Sequence, residues 1–233
     1  MRYIGGKSKI ARRIVGVIGS DLSRHYYEPF VGGGAVFQLL APRHAVAFAG
    51  DLHEDLIAMW NGLLFNDWEP PTEISEARYR ELKSSPPSAD RGFAGFGCSF
   101  GGKWFGGYAR GEGRNFARES RDNLLKFKQA MLGASVEQFR RCDYRHWAIP
   151  SNSVVYFDPP YRATQGYTTG AFDHDAMWAY ADSLHKHGCR VFVSEYEAPS
   201  GWQCVMEVAK AVELSDVRHR RIATERLFTR TSS

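Results

Sequence analysis

Apolar positions along this chain recur with two periods, one typical of helices and one typical of strands. Ile10, Ile14 and Ile18 fall at helical spacing. Helices are predicted at residues 10–18, 35–40, 56–65, 115–132 and 173–187. Short apolar runs predict strands at residues 26–30, 44–50, 153–157 and 190–194, and two antiparallel strands after Val205, with residues 218–221 in the turn between them. Strands that alternate with helices indicate an α/β fold.

A glycine-rich turn follows the first predicted strand, and an acidic residue follows the second. The turn is Glu28-Pro29-Phe30-Val31-Gly32-Gly33-Gly34, and Asp51 comes 19 residues after Gly32. This is a βαβ unit of nucleotide-binding shape, in which Asp51 is placed to accept hydrogen bonds from ribose hydroxyls. Phe37 stands where a dinucleotide fingerprint needs its third glycine, which disfavours a pyrophosphate ligand. An adenosine ligand without phosphate fits better, and S-adenosylmethionine is such a ligand.

The tetrapeptide Asp158-Pro159-Pro160-Tyr161 directly follows the apolar run 154–157. It therefore places a carboxylate and an aromatic ring at the end of a strand. Because two prolines fix φ and offer no N–H, the turn presents acceptors only. The Asp158 carboxylate and the Pro159 carbonyl suit the two hydrogens of an exocyclic amine, and Tyr161 suits stacking on a flat base. The alternative is a strand that simply ends at two prolines.

Two other segments contain candidates for cofactor contacts. The segment Tyr3-Ile4-Gly5-Gly6-Lys7 has too few residues before Gly6 to form a Walker phosphate loop. Lys7 is a candidate for holding the cofactor's carboxylate, and Tyr3 for lining the same pocket; a basic N-terminal arm is the alternative. Asp143 and Tyr144 are candidates for contacts with the adenine edge, and a surface turn is an equal alternative.

Composition limits the class of protein. The chain has 233 residues, 43% of them hydrophobic, which suits one α/β domain with a small insert. No apolar run has the length of a membrane span, and none follows Met1, so a cytoplasmic protein is expected. The four cysteines show no C-x-x-C spacing, which argues against a zinc site and against a disulfide framework.

Residues 66–132 differ in character from residues 1–65 and 133–233, which we assign to one domain. Between Arg91 and Gly113 lie nine of the chain's 23 glycines, with aromatic residues threaded through them. No helix or long strand suits that composition, so loops and a short hairpin are predicted there. We interpret residues 66–132 as an insert.

Basic charge is concentrated in this insert. Residues 91–128 contain eight basic and three acidic residues, whereas the net charge of the whole chain is only +4. Segregated basic charge indicates a polyanionic partner, and ordinary solvated charge is an even alternative. The main candidates for DNA contacts are Lys103, Arg110, Arg114 and Arg118, followed by Arg91 and Arg121.

Taken in order, these motifs resemble the Dam-like DNA adenine-N6 methyltransferases, including their compact phage-type members. The resembling segments are Arg-Tyr-x-Gly-Gly-Lys-Ser-Lys, Glu-Pro-Phe-Val-Gly-Gly-Gly-Ala-Val-Phe, Asp51, an insert and Asp-Pro-Pro-Tyr. The resemblance implies a Rossmann-like sheet of mostly parallel strands with a small inserted target-recognition region. It also implies S-adenosylmethionine as methyl donor and double-stranded DNA as partner. By motif, Tyr3, Lys7, residues 28–34, Asp51 and Asp158 would bind cofactor, and residues 158–161 would hold a flipped-out adenine.

The implied activity is site-specific methylation of adenine N6, in the cytoplasm of a bacterial cell or a phage-infected host and without a metal. The insert does not resemble the hairpin of GATC-specific enzymes, so no target sequence is implied. Ser194 or Glu195 would rim the pocket. The alternatives are a cytosine-N4 or RNA-base amine methyltransferase and a non-catalytic DNA-binding relic. The sequence leaves open whether the protein is a monomer or a weak dimer, and whether it acts beside a restriction nuclease.

Overall fold

The computed structural model describes residues 3–161, 172–212 and 221–230. Within these ranges, the strands are β1 (Tyr26–Glu28), β2 (Ala47–Asp51), β3 (Arg140–Arg141), β4 (Val154–Phe157), β5 (Arg190–Glu195), β6 (Gln203–Val212) and β7 (Arg221–Thr229). They form a seven-stranded sheet in the order β3-β2-β1-β4-β5-β7-β6. The strands from β3 to β5 in this order are parallel, whereas β7 is antiparallel to both β5 and β6. The predicted α/β class is confirmed.

The strand order reverses between β1 and β4, which are neighbours in the sheet. Chain connections diverge from this switch point, because β1 leads to β2 on one side and β4 leads to β5 on the other. In open α/β sheets, the crevice at such a point is the usual ligand site, outside the carboxyl ends of the strands. Glu28 ends β1 and Asp158 directly follows β4. The fold therefore brings the glycine turn and the Asp158 tetrapeptide to one edge.

The α-helices of the described residues are α1 (Ala11–Ile18), α2 (Phe37–Leu40), α3 (Glu54–Phe65), α4 (Glu76–Ser84), α5 (Ala89–Gly92), α6 (Phe116–Ala130) and α7 (His174–Lys186). Four of them begin after a polar residue whose side chain accepts a hydrogen bond from the N–H three residues further on: Ser75, Ser88, Asn115 and Asp173. The five predicted helices are confirmed, although α2 is shorter than predicted. The sequence patterns did not predict α4 or β3.

Side chains of the central strands alternate between two hydrophobic cores. Val154 and Tyr156 of β4 lie in a core formed with α1, α2, α3 and α6, whereas Val155 and Phe157 lie in a core formed with α7. A parallel strand that is buried on both faces reads as a continuous apolar run, which explains the sequence pattern of residues 154–157.

Residues 66–132 pack into the first of these cores. Tyr79 and Phe93 of the insert belong to the same buried cluster as Phe37. The Phe127 ring of α6 lies 4.3 Å from the Trp60 ring of α3, measured between centroids. The insert thus packs against α2 and α3 within this core.

The glycine-rich stretch is more helical than its composition predicts. The helix α5 continues directly into a π-helical turn, Phe93–Gly97. The prediction that no helix suits residues 91–113 is therefore wrong for the first third of the stretch. The predicted hairpin is short: Ser99 and Tyr108 form an isolated antiparallel bridge.

The glycines of this helical stretch serve close packing. A Cβ on Gly92 would lie 2.2 Å from the carbonyl oxygen of Asp55, and one on Gly95 would lie 2.2 Å from the Trp104 ring. Neither position tolerates a larger side chain without displacing its neighbour. Low helix propensity is outweighed here because the helix must approach α3 and the Trp104 ring closely.

The two antiparallel strands predicted near the C-terminus are confirmed as β6 and β7, and β6 begins two residues before Val205. Of the turn predicted at residues 218–221, positions 218–220 lie outside the described residues. Among the described helices, none combines the length and the apolarity that a membrane crossing requires.

Candidate active site

Asp158 and Tyr161 lie at the carboxyl end of β4, at the switch point. Asp158 keeps 19% of its side chain exposed, whereas Tyr161 is buried. Pro159 between them is buried and Pro160 is half-buried. The Tyr161 ring packs against the ring of Tyr196, with 4.7 Å between the centroids. A carboxylate and an aromatic ring therefore stand together at the end of a buried strand.

Lys7 reaches this strand end from the segment before α1. Its Nζ lies 2.7 Å from Asp158 Oδ1 and 4.5 Å from the centroid of the Tyr161 ring. It also donates to the carbonyl oxygen of Gly5 at 3.1 Å. The Lys7 side chain is only 4% exposed, so this is a buried ion pair. The sequence predicts Lys7 as a ligand of the cofactor's carboxylate, and the structure shows it on a carboxylate of the protein itself.

Two acidic side chains, the buried Glu28 and the partly exposed Asp158, lie near the switch point. Burial raises the pKa of Asp158, the Lys7 ammonium lowers it, and Glu225 raises it. Glu28 accepts a hydrogen bond from the Tyr26 hydroxyl at 2.5 Å, and burial raises its pKa well above the usual range. Lys7 therefore opposes the effect of burial and favours the ionised form of Asp158.

The Tyr3 ring covers the glycine turn after β1. Gly32 has a φ of +46°, in the left-handed region, and a Cβ there would lie 2.9 Å from the Tyr3 ring. A Cβ on Gly33 would lie 2.8 Å from Tyr3 Cβ. The space that these two glycines leave is therefore occupied by the Tyr3 side chain. Tyr3 lies beside the turn, where the sequence predicts that it lines the pocket.

Asp51 ends β2 and links it to the glycine turn. Its Oδ2 accepts a hydrogen bond from the Gly32 N–H at 3.2 Å, and its Oδ1 accepts one from the His53 N–H at 3.0 Å. Burial raises the pKa of Asp51 to about 6, although hydrogen bonds from backbone N–H groups oppose the rise. The carboxylate is therefore largely ionised at neutral pH, beside the turn, where ribose hydroxyls would meet it.

Asp143 and Tyr144 follow β3 and lie at the same edge of the sheet. The Cys142 N–H donates to the Asp51 carbonyl at 3.3 Å, which brings this segment next to the end of β2. The buried Tyr144 ring lies 5.3 Å from the Phe30 ring. Asp143 pairs with Arg145 at 2.7 Å, and that hydrogen bond lowers the pKa of Asp143. Tyr144 thus packs among aromatic side chains, whereas Asp143 is paired with Arg145, two residues away in sequence.

The end of β5 also belongs to this edge. Glu195, a rim candidate in the sequence, is buried, and its Oε1 accepts a hydrogen bond from the Tyr196 N–H at 2.8 Å. The hydroxyl of Ser194 is within 2.8 Å of the buried Tyr156 hydroxyl. Sequence reasoning missed Tyr196 and His53, although both follow a parallel strand directly or within two residues. Their positions after parallel strands could have identified them, because the carboxyl ends of parallel strands lie at one edge of a sheet.

Four of the six basic candidates in the insert are exposed. Lys103 and Arg118 are exposed, and Arg110 and Arg114 are 68% and 49% exposed despite ion pairs with neighbouring glutamates. Phe100, three residues before Lys103, is 71% exposed, and the sequence analysis did not single it out.

Arg91 and Arg121 have structural partners. Arg91 Nη1 donates to Asp55 Oδ2 at 2.6 Å, and its side chain is 19% exposed. Arg121 Nε donates to the carbonyl oxygen of Pro70 at 2.8 Å. Arg91 therefore links the insert to α3, and Arg121 links α6 to the start of the insert.

The residues at this edge fit an adenosine ligand that carries positive charge. Asp51 offers a carboxylate at the ribose position, and the rings of Phe30 and Tyr144 offer apolar faces. The Nδ1 of His53 is buried and has no hydrogen-bond partner among the described residues. The described residues contain no cluster of His, Cys, Asp and Glu suited to a metal.

The strand order β3-β2-β1-β4-β5-β7-β6 and the switch point between β1 and β4 define a Rossmann-like α/β fold. Residues 3–89 match the family model of the D12 class N6 adenine-specific DNA methyltransferases. The match includes the Lys7 segment, the glycine turn and Asp51, and it ends before Asp158. It confirms the resemblance predicted from the sequence over these residues, and it supports a methyltransferase.

Several solved structures are similar at low identity. The precorrin 8W decarboxylase of Methanobacterium thermoautotrophicum is 10% identical, over 96% of this chain and 90% of that one, with a TM-score of 0.44. The tRNA (m1A58) methyltransferase TrmI of Aquifex aeolicus is 9% identical, over 100% and 72%, with a TM-score of 0.41. The rRNA methyltransferase aviRa of Streptomyces viridochromogenes is 14% identical, over 95% and 81%, with a TM-score of 0.44. No curated protein matches the chain.

Proposed function

We propose that this protein transfers a methyl group from S-adenosylmethionine to N6 of an adenine flipped out of duplex DNA. The observation that carries the proposal is the buried contact among Lys7, Asp158 and Tyr161 at the switch point. The family match of residues 3–89 supports adenine in DNA as the substrate.

The chemical difficulty is the adenine amine, whose lone pair is delocalised into the ring. The Asp158 carboxylate accepts one amine hydrogen and the Pro159 carbonyl accepts the other, which favours a tetrahedral nitrogen with a free lone pair. Tyr161 stacks on the base and fixes its plane, so that the reaction gains from positioning. When bound, S-adenosylmethionine supplies an electrophilic methyl group. Asp158 need not be a strong base, because the amine loses its proton readily once it is methylated.

Residues 66–132 are proposed as the target-recognition region. Extrusion of a base costs a few kcal/mol of stacking and pairing, which protein contacts with the duplex must offset. Lys103, Arg110, Arg114 and Arg118 supply cations for phosphates, and the exposed Phe100 supplies an apolar contact beside them. Arg91 and Arg121 contribute less directly, since Arg91 already binds Asp55 of α3 and Arg121 already binds the Pro70 carbonyl.

The double substitution Lys103→Gln and Arg118→Gln is expected to weaken DNA binding at every sequence. Loss of two phosphate contacts lowers the slope of log affinity against log salt by about 1.8, because each contact contributes roughly 0.9. Fluorescence anisotropy with a labelled duplex at several salt concentrations measures both quantities. Arg12→Gln, on the exposed face of α1, is the matched control and should leave the slope unchanged. An unchanged slope in the double variant would place the interface elsewhere.

Cofactor affinity is expected to fall on acidification through about pH 6. The pKa of Asp51 is raised to about 6 in the folded protein, so the ionised acceptor is lost below that pH. One pH unit below the pKa, about a tenth of the carboxylate remains ionised, which predicts roughly tenfold weaker binding. Calorimetric titration with S-adenosylhomocysteine from pH 5 to pH 8 measures the effect. Asp51→Asn should bind weakly with no such pH dependence, and a flat wild-type profile would contradict the assignment.

The proposed function is tested by incubating unmethylated plasmid with the protein and S-adenosylmethionine, then sequencing the DNA by a method that detects modified bases. N6-methyladenine within one short motif is the expected result. Mass spectrometry of the digested nucleosides separates it from N4-methylcytosine, and parallel reactions with RNA test the other substrate. Cofactor binding without modification of any nucleic acid would contradict the proposed substrates, and absence of cofactor binding would favour a non-catalytic relic.

A further inference from the structure

An unbroken row of aromatic side chains connects the glycine turn to the end of β2. The row, which we call the aromatic bridge, consists of Tyr3, Phe96, Trp104 and His53. Successive ring centroids are 5.0 Å apart for Tyr3 and Phe96, 4.8 Å for Phe96 and Trp104, and 4.2 Å for Trp104 and His53. The Phe96 and His53 rings also contact each other directly, with 4.9 Å between their centroids. Its two ends belong to the domain that carries the cofactor candidates, and its two middle rings belong to the insert.

Both ends of the aromatic bridge touch cofactor candidates. Tyr3 lies on Gly32 and Gly33, where a Cβ would approach it to within 3 Å. The His53 N–H donates to the Asp51 carboxylate at 3.0 Å. Burial lowers the pKa of His53, so its ring is neutral near pH 7 and packs as an aromatic group.

The middle of the aromatic bridge is held in place by contacts with the insert. Gly95 leaves room for the Trp104 ring, and the guanidinium of Arg91 lies 5.1 Å above that ring. Arg91 is itself fixed by its ion pair with Asp55 of α3. The Ile4 N–H donates to the Gly102 carbonyl at 3.2 Å, which ties the N-terminal segment to the hairpin.

We propose that the insert completes the cofactor site, and that Phe96 and Trp104 are positioning residues for it. They hold Tyr3 on the glycine turn and His53 beside Asp51, and so keep the two cofactor-binding loops at a fixed separation. The inference rests on the proposed function, since it takes the glycine turn and Asp51 as the cofactor's binding groups. It assigns the insert a second role, in cofactor affinity, that is independent of DNA.

The test is the affinity for S-adenosylhomocysteine in the absence of DNA. Trp104→Ala is expected to raise the dissociation constant about tenfold, in line with the loss of two aromatic pairs, and Trp104→Phe should restore most of the affinity. Tyr108→Ala is the matched control, because Tyr108 packs on Tyr79 in the insert and its hydroxyl binds the Ile74 carbonyl, away from the aromatic bridge. Circular dichroism verifies that each variant is folded.

A spectroscopic measurement on the wild-type chain covers the case in which Trp104→Ala fails to fold. The six tryptophans are replaced by 5-fluorotryptophan, and the ¹⁹F resonance of Trp104 is identified as the one missing from Trp104→Phe. A shift of this resonance on addition of S-adenosylhomocysteine is expected. If the wild-type chain binds S-adenosylhomocysteine and the Trp104 resonance does not move, this inference is overturned and the proposed function stands. The same holds if folded Trp104→Ala binds with unchanged affinity. Absence of wild-type binding overturns the proposed function along with it.

Discussion

Asp158→Asn is expected to reduce the rate of methyl transfer by at least about 10³-fold while the protein still folds and binds S-adenosylhomocysteine. Asparagine preserves the size of the side chain but replaces a charged acceptor aimed at the reacting amine with a neutral amide. Loss of one preorganised polar contact to a reacting group typically costs about 10²- to 10³-fold, and Asp158 also sets the charge of the site. Single-turnover transfer of a radiolabelled methyl group to DNA measures the effect.

Asp158→Asn is expected to lower stability as well as activity, because its ion-pair partner Lys7 is only 4% exposed. A second substitution at Lys7 separates the two effects. Removing one member of a buried ion pair leaves the other uncompensated, and typically costs about 3 to 5 kcal/mol. The double variant Lys7→Met with Asp158→Asn should regain much of that stability and none of the activity. Asp175→Asn, at an exposed position in the first turn of α7, is the matched control. Near-normal turnover in Asp158→Asn would refute the assigned role.

Lys7→Met is expected to move the acidic limb of the pH–rate profile to higher pH. Burial already raises the pKa of Asp158, and the Lys7 ammonium is the first of the effects that oppose this rise. Without the ammonium the pKa of Asp158 rises further, because the neighbouring cation that favours the ionised carboxylate is gone. Because the ionised Asp158 carboxylate is the stronger acceptor for the amine hydrogen, activity at neutral pH falls and recovers on the alkaline side. The measurement is kcat/KM for methylation between pH 6 and pH 9.5.

Lys7→Met is also expected to lower the free energy of unfolding by an amount that depends on pH. A carboxyl whose folded-state pKa is raised contributes stability that is present at low pH and is lost as pH rises through that pKa. The stability lost in Lys7→Met should therefore be larger at pH 9 than at pH 6, as measured by urea unfolding. Lys9→Met, at an exposed position two residues away, is the control. If Lys7→Met instead weakened S-adenosylhomocysteine binding and left the acidic limb unmoved, Lys7 would act on the cofactor's carboxylate, as the sequence predicts.

Much of the candidate site was predictable because its motifs are local. A strand followed directly by Asp158, or by the glycine turn, determines where those residues lie once the strands are parallel, because parallel strands have their carboxyl ends at one edge. Asp51 follows the same logic at the end of β2. The helices around them were predictable from the spacing of apolar residues, since one face of each helix must be buried.

The insert was predicted less well because its glycines serve contacts that the sequence does not display. Gly92 and Gly95 lie in a helical stretch, where each allows a close approach to Asp55 or Trp104. Composition alone predicts loops for such a stretch, and it could not reveal that α3 and the Trp104 ring require this space. Arg91 was ranked among DNA contacts for the same reason: its partner Asp55 is distant in sequence.

The sequence by itself determined the α/β class, the order of the motifs and most of the candidate residues at the switch-point edge, because periodicity and strand ends are local properties. Only the tertiary structure decided which of those residues touch. It paired Lys7 with Asp158, laid Tyr3 on Gly32 and placed two rings of the insert between Tyr3 and His53. Such contacts depend on how separate elements pack, and packing is set by the joint shape of many side chains rather than by any one segment.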